Sequence, residues 1–446
     1  MPSLSNRTIL FITTGIVLVV MMDTSITAVS SYTGGMDSST ISLFTFFVVV
    51  AVYSISQFLM LRYVKHKISL IKRNRGMLYL HNVVYFTQFA LIIIIVIVIL
   101  QMLFFGSYSS ILLKSVVWIN YVLAFIIFAI FGIRLLLWEN LNRSHVLVLY
   151  AIAGLTLSIT CIITVLYVNN QLSGTRGIEY IYPLKNAQSI ISGANNPFST
   201  SYTISSAISF VLTWCATIFL LHHYSGRLGR TKYSILMGIP LLYFLSQFQP
   251  FIPEIFNSFR ENDPVLFGLI HTIFFNISKP VGGILFGLAF WSITKAVRKS
   301  IIKDYMAISA YGIMIFFTVH QPLLITLIPY PPFGISTICF IGLSSYLVLV
   351  GFYSSALSIA SDAQLYKAVR KSLPPMSNLL GNIGNAQEIQ RVRTKAIMIT
   401  NELKDKINKE TGITSSVEEE DIKQYLNTVL DELKNRKENI EKGDKQ

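Results

Sequence analysis

Ionisable and polar side chains that interrupt long apolar runs are the chemically suggestive feature of this sequence. Asp23, His271 and His320, with Gln321 beside the last, each sit among aliphatic and aromatic residues. A charged or titratable group is costly in an apolar medium, so such residues mark binding sites and ion or proton paths by default. A carboxylate, two imidazoles and an amide drawn together would bind a cation, a proton or a small polar ligand. The alternative is that each is a polar residue satisfied by packing. Two facing histidines could hold haem or a metal, but no third ligand is evident. The three cysteines, Cys161, Cys215 and Cys339, lie singly in apolar runs with no CxxC or Cys/His spacing. Neither a metal nor a cofactor is therefore expected.

A second group lies in the segment Asn276-Ile277-Ser278-Lys279-Pro280, followed by Val281-Gly282-Gly283. A proline in a helix interior removes one backbone donor and frees the carbonyl four residues earlier, here that of Asn276. At membrane depth a freed carbonyl needs a partner. The Lys279 ammonium or the side chains of Asn276 and Ser278 would supply one. Asn276, Ser278, Lys279 and Pro280 are thus expected to form a hinge or broken helix, a device that carries binding sites in transporters. The bland reading is a kinked packing helix. Gly283 and Gly287 have the spacing that lets another helix approach closely.

These residues must be positioned by membrane-spanning helices. Of 446 residues 53% are hydrophobic and only 13% charged, against about 25% charged in soluble domains. The mean hydropathy is +0.58. A chain this long with so few charges cannot cover a water-facing surface, which excludes a soluble enzyme. Runs of about 18 or more apolar residues read as spanning helices. Ten such runs fall near 9–29, 41–62, 78–104, 111–137, 145–168, 203–223, 233–249, 264–293, 304–328 and 333–358. The expected fold is all-α: a polytopic membrane bundle over 1–360 with a short helical tail over 361–446.

The net charge of +14 divides unevenly: 15 of the 36 basic and 14 of the 22 acidic residues fall in 361–446. Of the remaining 21 basic residues 15 cluster in alternate loops, as in Arg62 to Arg75, Arg227 to Lys232 and Lys295 to Lys303, while the longer loops of the other side hold only Arg176, Lys185 and Arg260. The intervening loops at 30–40, 105–113 and 329–332 carry no basic residue. This is the positive-inside pattern, not a nucleic-acid surface. It predicts a multi-pass protein of the cell membrane with both termini cytoplasmic. A cleaved signal peptide with its apolar core at Ile9 to Met22 is the alternative for the first run. Counted along the helices at about 1.5 Å per residue, Asp23, His271 and His320 each lie roughly 10–14 Å below the outer surface. The long outer loop, about Asn169 to Thr203, is the candidate extracellular cap.

In the tail, Ile389, Val392, Ala396, Ile399, Leu403 and Ile407 recur at spacings of three and four, close to a coiled-coil seam. Gly412 is a stop signal. Ser416 and Glu419 fit a capping box ahead of a second stripe, Ile422, Leu426, Val429, Leu433 and Ile440. A helical hairpin over 386–440 is expected. Each helix has one apolar stripe, so the hairpin would pack on itself, a second subunit or a cytosolic protein. It cannot be a histidine-kinase phosphoacceptor, because His320 is the last histidine of the chain.

The stretches NISKPVGGILFGLAFW, DYMAISAYG, PYPPFG and GLSSYLVLVGFYSSALSIASD, with ETGITSS and EEEDIKQYLNTVLDELK in the tail, resemble uncharacterised multi-pass membrane proteins of archaea. The similarity covers roughly the last 190 residues well and the rest loosely. It implies a cell bounded by a single membrane and assigns no residue a role. The chain lacks GxSxG, HExxH and Walker motifs, so no enzyme activity is expected. The leading expectation is a membrane sensor or signal-transducing receptor that couples an outer pocket or loop to the cytoplasmic hairpin, its ligand unspecified. The alternative is a transporter or channel built on the broken eighth run.

Overall fold

A computed structural model describes residues 6–32, 40–69, 75–141, 144–174, 180–181, 197–222, 229–248, 262–263, 277–296, 300–321, 330–361 and 379–411, with isolated residues at 266, 270, 425 and 428. Among the described residues there are eleven helices. They are α1 (Asn6–Tyr32), α2 (Thr40–Ser69), α3 (Arg75–Phe105), α4 (Ser110–Leu141), α5 (His145–Gly174), α6 (Pro197–Leu221), α7 (Arg230–Ser246), α8 (Ser278–Ala296), α9 (Ser300–Val319), α10 (Ile335–Ser361) and α11 (Leu379–Thr411). The fold is an all-α polytopic bundle. In lipid every backbone N–H and C=O must be satisfied within the segment, and long apolar runs meet that demand as helices.

Eight of the described helices, α1 to α6 with α9 and α10, are long and apolar enough to cross a membrane. Their burial ranks them from centre to rim. The apolar window of α10 is 100% buried and that of α9 89%, against 28% for α3. Outward-facing side chains of α3 such as Phe86, Phe89 and Ile93 are exposed and apolar, the surface a lipid-facing helix must present. The central helices are joined by glycine. A Cβ on Gly312 would lie 2.7 Å from the Val348 backbone nitrogen, and one on Gly351 2.5 Å from the Tyr305 carbonyl oxygen. Pairing of Gly312 with Val348, and of Gly351 with Ser309, makes α9 and α10 antiparallel. Gly287 likewise abuts Met314 and the Ala310 carbonyl, and Gly283 abuts Phe317, so the Gly283/Gly287 pair does admit α9 against α8.

Several boundaries differ from the sequence expectation. The seventh run is the 17-residue α7, interrupted by Pro240. Of the eighth run, the described helix α8 begins at Ser278; most of 264–276 lies outside the described residues. Pro280 therefore sits in a first helical turn, where its missing N–H has no intrahelical acceptor to lose. The expected loop from Asn169 to Thr203 is shorter, because α5 continues to Gly174 and α6 begins at Pro197. A helix needs apolar side chains only inside lipid, so polar residues such as Asn169 and Gln171 extend it. The loop is tied at one point: Tyr108 and Ser109 (β1) pair antiparallel with Ile181 and Tyr180 (β2).

The tail helix α11 starts at Leu379, seven residues before the expected Ala386, and ends at Thr411, one residue before Gly412. Its first turns dock on the bundle. A Cβ on Gly384 would come 2.3 Å from Ile359 of α10, and the Trp138 indole of α4 donates to Gln387 Oε1 at 3.1 Å. Further along, Val392, Ile399 and Leu403 stay exposed. The second helix of the expected hairpin falls almost wholly outside the described residues, as does the expected helical continuation at 362–372.

Candidate functional site

Lys279 is the second residue of α8, and its neighbours come from four other places in the chain. Its ammonium donates to the Tyr202 hydroxyl of α6 at 2.8 Å and lies 3.5 Å from the His320 carbonyl oxygen, just past the end of α9. It also sits 5.1 Å from the Tyr202 ring centre. The Tyr202 ring stacks on Tyr167 of α5, with centroids 5.3 Å apart and planes 10° from parallel. The His320 ring stacks on Phe316 at 5.2 Å and meets Tyr121 of α4 edge-on at 5.6 Å. A cation, an imidazole and three phenols thus converge where α4, α5, α6, α8 and α9 meet.

The polar groups of this cluster are unevenly satisfied. His320 is only 3% exposed, and neither of its ring nitrogens has a hydrogen-bond partner. The Tyr121 hydroxyl is buried and also has none. A buried polar group without a partner costs about 1–3 kcal/mol. Whichever tautomer it adopts, His320 offers one N–H donor and one acceptor nitrogen. Lys279 has a phenol and a carbonyl beside it, and among the described residues no carboxylate. The one ion pair described lies elsewhere, between Lys67 and Asp304 at 2.6 Å. The start of α8 adds a positive partial charge from the helix dipole.

Counted along the helices at about 1.5 Å per residue, Tyr202 is roughly 8 Å, Tyr167 roughly 10 Å and Tyr121 roughly 16 Å from the helix ends that carry β1 and β2. The site therefore lies inside the bundle, at the end opposite α11.

Asp23, expected beside His320, has different partners. Both its carboxylate oxygens accept from the Gly334 backbone N–H, at 3.1 and 3.0 Å, and Oδ2 accepts from the Thr337 hydroxyl at 2.5 Å. Gly334 immediately precedes α10, so Asp23 of α1 caps that helix from a neighbouring one. Gln321 donates through Nε2 to the Thr318 carbonyl at 3.3 Å. Ser278 is buried at the start of α8 and Pro280 lies within its first turn. The structure brings Lys279 and His320 together, though the sequence set them in separate groups. It gives Asp23 a capping role within the fold. His271 and Asn276 lie outside the described residues.

Three aromatic members, Tyr121, Tyr167 and Tyr202, escape a search for ionisable interruptions because tyrosine is common in apolar runs. Gln88, which accepts from Tyr53 at 2.9 Å, escapes it too, whereas His81, whose Nδ1 is 2.9 Å from the Tyr346 hydroxyl, does not. A count of interruptions restricted to Asp, Glu, Lys, Arg and His would have found His81, but none of the tyrosines. No group of three or more His, Cys, Asp or Glu suited to a metal ion occurs among the described residues. No family model, curated protein or solved structure matches the chain.

Proposed function

We propose that the protein is an integral membrane sensor in which occupancy of the Lys279–His320 site alters the docking of α11. The observation that carries this reading is the position of α9 and α10. The site forms at one end of the pair, and α11 is held at the other by Gly384 against Ile359 and Gln387 on Trp138. The two helices touch backbone to side chain through Gly312 and Gly351, so neither can shift without the other. A coupling of this kind needs an element with two discrete arrangements that both sites bias. The docked and undocked states of α11 would be that element.

The charge pattern of the loops supports a cytoplasmic α11 and cytoplasmic termini. The resemblance to archaeal multi-pass proteins supports a cell-membrane location. Output would pass to a cytosolic protein or a second subunit through the apolar stripe of Val392, Ile399 and Leu403. The chain then divides at about residue 360 into a sensing bundle and an output tail. The test is backbone hydrogen exchange of the full chain in lipid nanodiscs, with Lys279→Met set against wild type. A change in protection at 383–387, about 25 Å away along α4 from Tyr121 to Trp138, is expected. Identical exchange there in both proteins would sink the coupling.

A transporter is the second reading. It is favoured by a helix that begins at Ser278 beside the site rather than at a membrane surface, since helix ends inside the bundle point at substrates in transporters. Solute flux in proteoliposomes, lost on Lys279→Ala, would replace the sensor with the transporter.

A further inference from the structure

We infer that the Lys279 site takes a small, singly charged oxyanion, an organic monocarboxylate or an inorganic ion such as nitrate. The inference rests on the reading of this cluster as a ligand site and names its ligand class.

Charge decides the sign. Lys279 has one ammonium within the bundle, and the polar groups beside it, the Tyr202 hydroxyl and the His320 carbonyl, are neutral. A charge held away from water needs an opposite charge or full hydrogen bonding. Among the described residues no carboxylate supplies it. A cation, one of the ligands expected from the sequence, would be repelled, since Asp23 is committed to Gly334 and Thr337. The α8 start adds positive potential of the kind that favours anions.

Hydrogen bonding decides the class. His320, 3% exposed, has two unpartnered ring nitrogens, and the Tyr121 hydroxyl is unpartnered too. Their rings meet at 5.6 Å, and His320 and Tyr202 at 6.1 Å. Two neutral donors and one ammonium are thus carried by side chains of one contact cluster. An oxyanion has the several acceptor lone pairs needed to use all three. One cation balances one charge, so a divalent anion would enter with an uncompensated charge.

The experiment is equilibrium dialysis of the full-length protein in nanodiscs against labelled acetate, nitrate and sulfate. The expected result is one saturable site per chain for acetate, nitrate or both, with sulfate at least tenfold weaker. Acetate alone assigns an organic carboxylate, nitrate alone an inorganic ion, and both a site that reads charge and shape. Lys279→Met should weaken binding at least tenfold. Tyr121→Phe should weaken it at least about tenfold, one charge-assisted hydrogen bond. That variant keeps the ring and removes a hydroxyl with no partner, so its anion-free thermal stability should be equal or higher. It carries the test if Lys279→Met does not fold. Binding of neither anion, sulfate equal to both, or binding indifferent to Tyr121→Phe overturns the inference. Anion binding with no change in exchange at 383–387 would instead retain the ligand class and sink the sensor.

Discussion

Replacing Asp23 by alanine separates a structural carboxylate from a binding one. In the folded chain the carboxylate holds the Gly334 N–H with both oxygens and the Thr337 hydroxyl with one. Gly334 has a φ of +89°, so its N–H is aimed by a backbone that other residues rarely adopt. On loss of Asp23 the Thr337 hydroxyl can turn to a carbonyl of its own helix, as threonines elsewhere in this bundle do. The Gly334 N–H has no such option and is left buried, at about 1–3 kcal/mol. Loss of a helix cap, which is the same bond seen from the helix, costs a similar amount of about 0.5–2 kcal/mol. Part is offset because the buried carboxylate no longer has to be desolvated. The net expectation is a loss of about 2 kcal/mol for Asp23→Ala and about half that for Asp23→Asn, which keeps an acceptor. Reversible unfolding of the detergent-solubilised protein measures it. A double-mutant cycle with Thr337→Val should return a coupling of about 1 kcal/mol. Acetate and nitrate binding should be unchanged. A stability within about 0.5 kcal/mol of wild type, or loss of anion binding at full stability, would refute the capping role.

Gly351→Ala should destabilise the bundle by about 1–3 kcal/mol, because its Cβ would meet the Tyr305 carbonyl at 2.5 Å and the Ser309 hydroxyl at 2.2 Å. Gly15→Ala meets nothing within 4 Å and should be neutral or stabilising by up to about 1 kcal/mol; thermal unfolding compares the two. Lys67→Met alone should cost about 1–3 kcal/mol by removing the cation from the part-buried Asp304 carboxylate, while Lys67→Met with Asp304→Leu should recover most of it, as read by the same unfolding assay. Gln387→Ala removes the acceptor of the Trp138 indole and should speed hydrogen exchange at 383–387 about fivefold, the equivalent of about 1 kcal/mol.

The helices were legible because lipid leaves the backbone little choice. Long apolar runs became α1 to α6, α9 and α10, and the Gly283/Gly287 spacing did mark a close helix contact. Boundaries set by polar residues were less legible: α5 runs through Asn169 and Gln171, because a helix outside lipid tolerates any good former. Pro280 was read as part of a broken helix; it lies in the first turn of α8, and most of the run before Ile277 falls outside the described residues. The sequence alone does not say where a helix begins when apolar residues precede it.

The sequence by itself determined an all-α membrane bundle, since composition and run length decide what backbone geometry lipid permits. It also nominated Lys279, His320 and Asp23, since an ionisable side chain in an apolar run is costly wherever the helix packs. Only the tertiary structure decided their company. Lys279 meets Tyr202 across 77 positions and His320 across 41, and Asp23 meets Gly334 across 311. Those contacts depend on which helix faces which, a matter of glycine notches and side-chain volume summed over the whole bundle. No local window carries that sum. It is why one suspect proved to be a helix cap while two others came to share a cluster with tyrosines that no charge count would find.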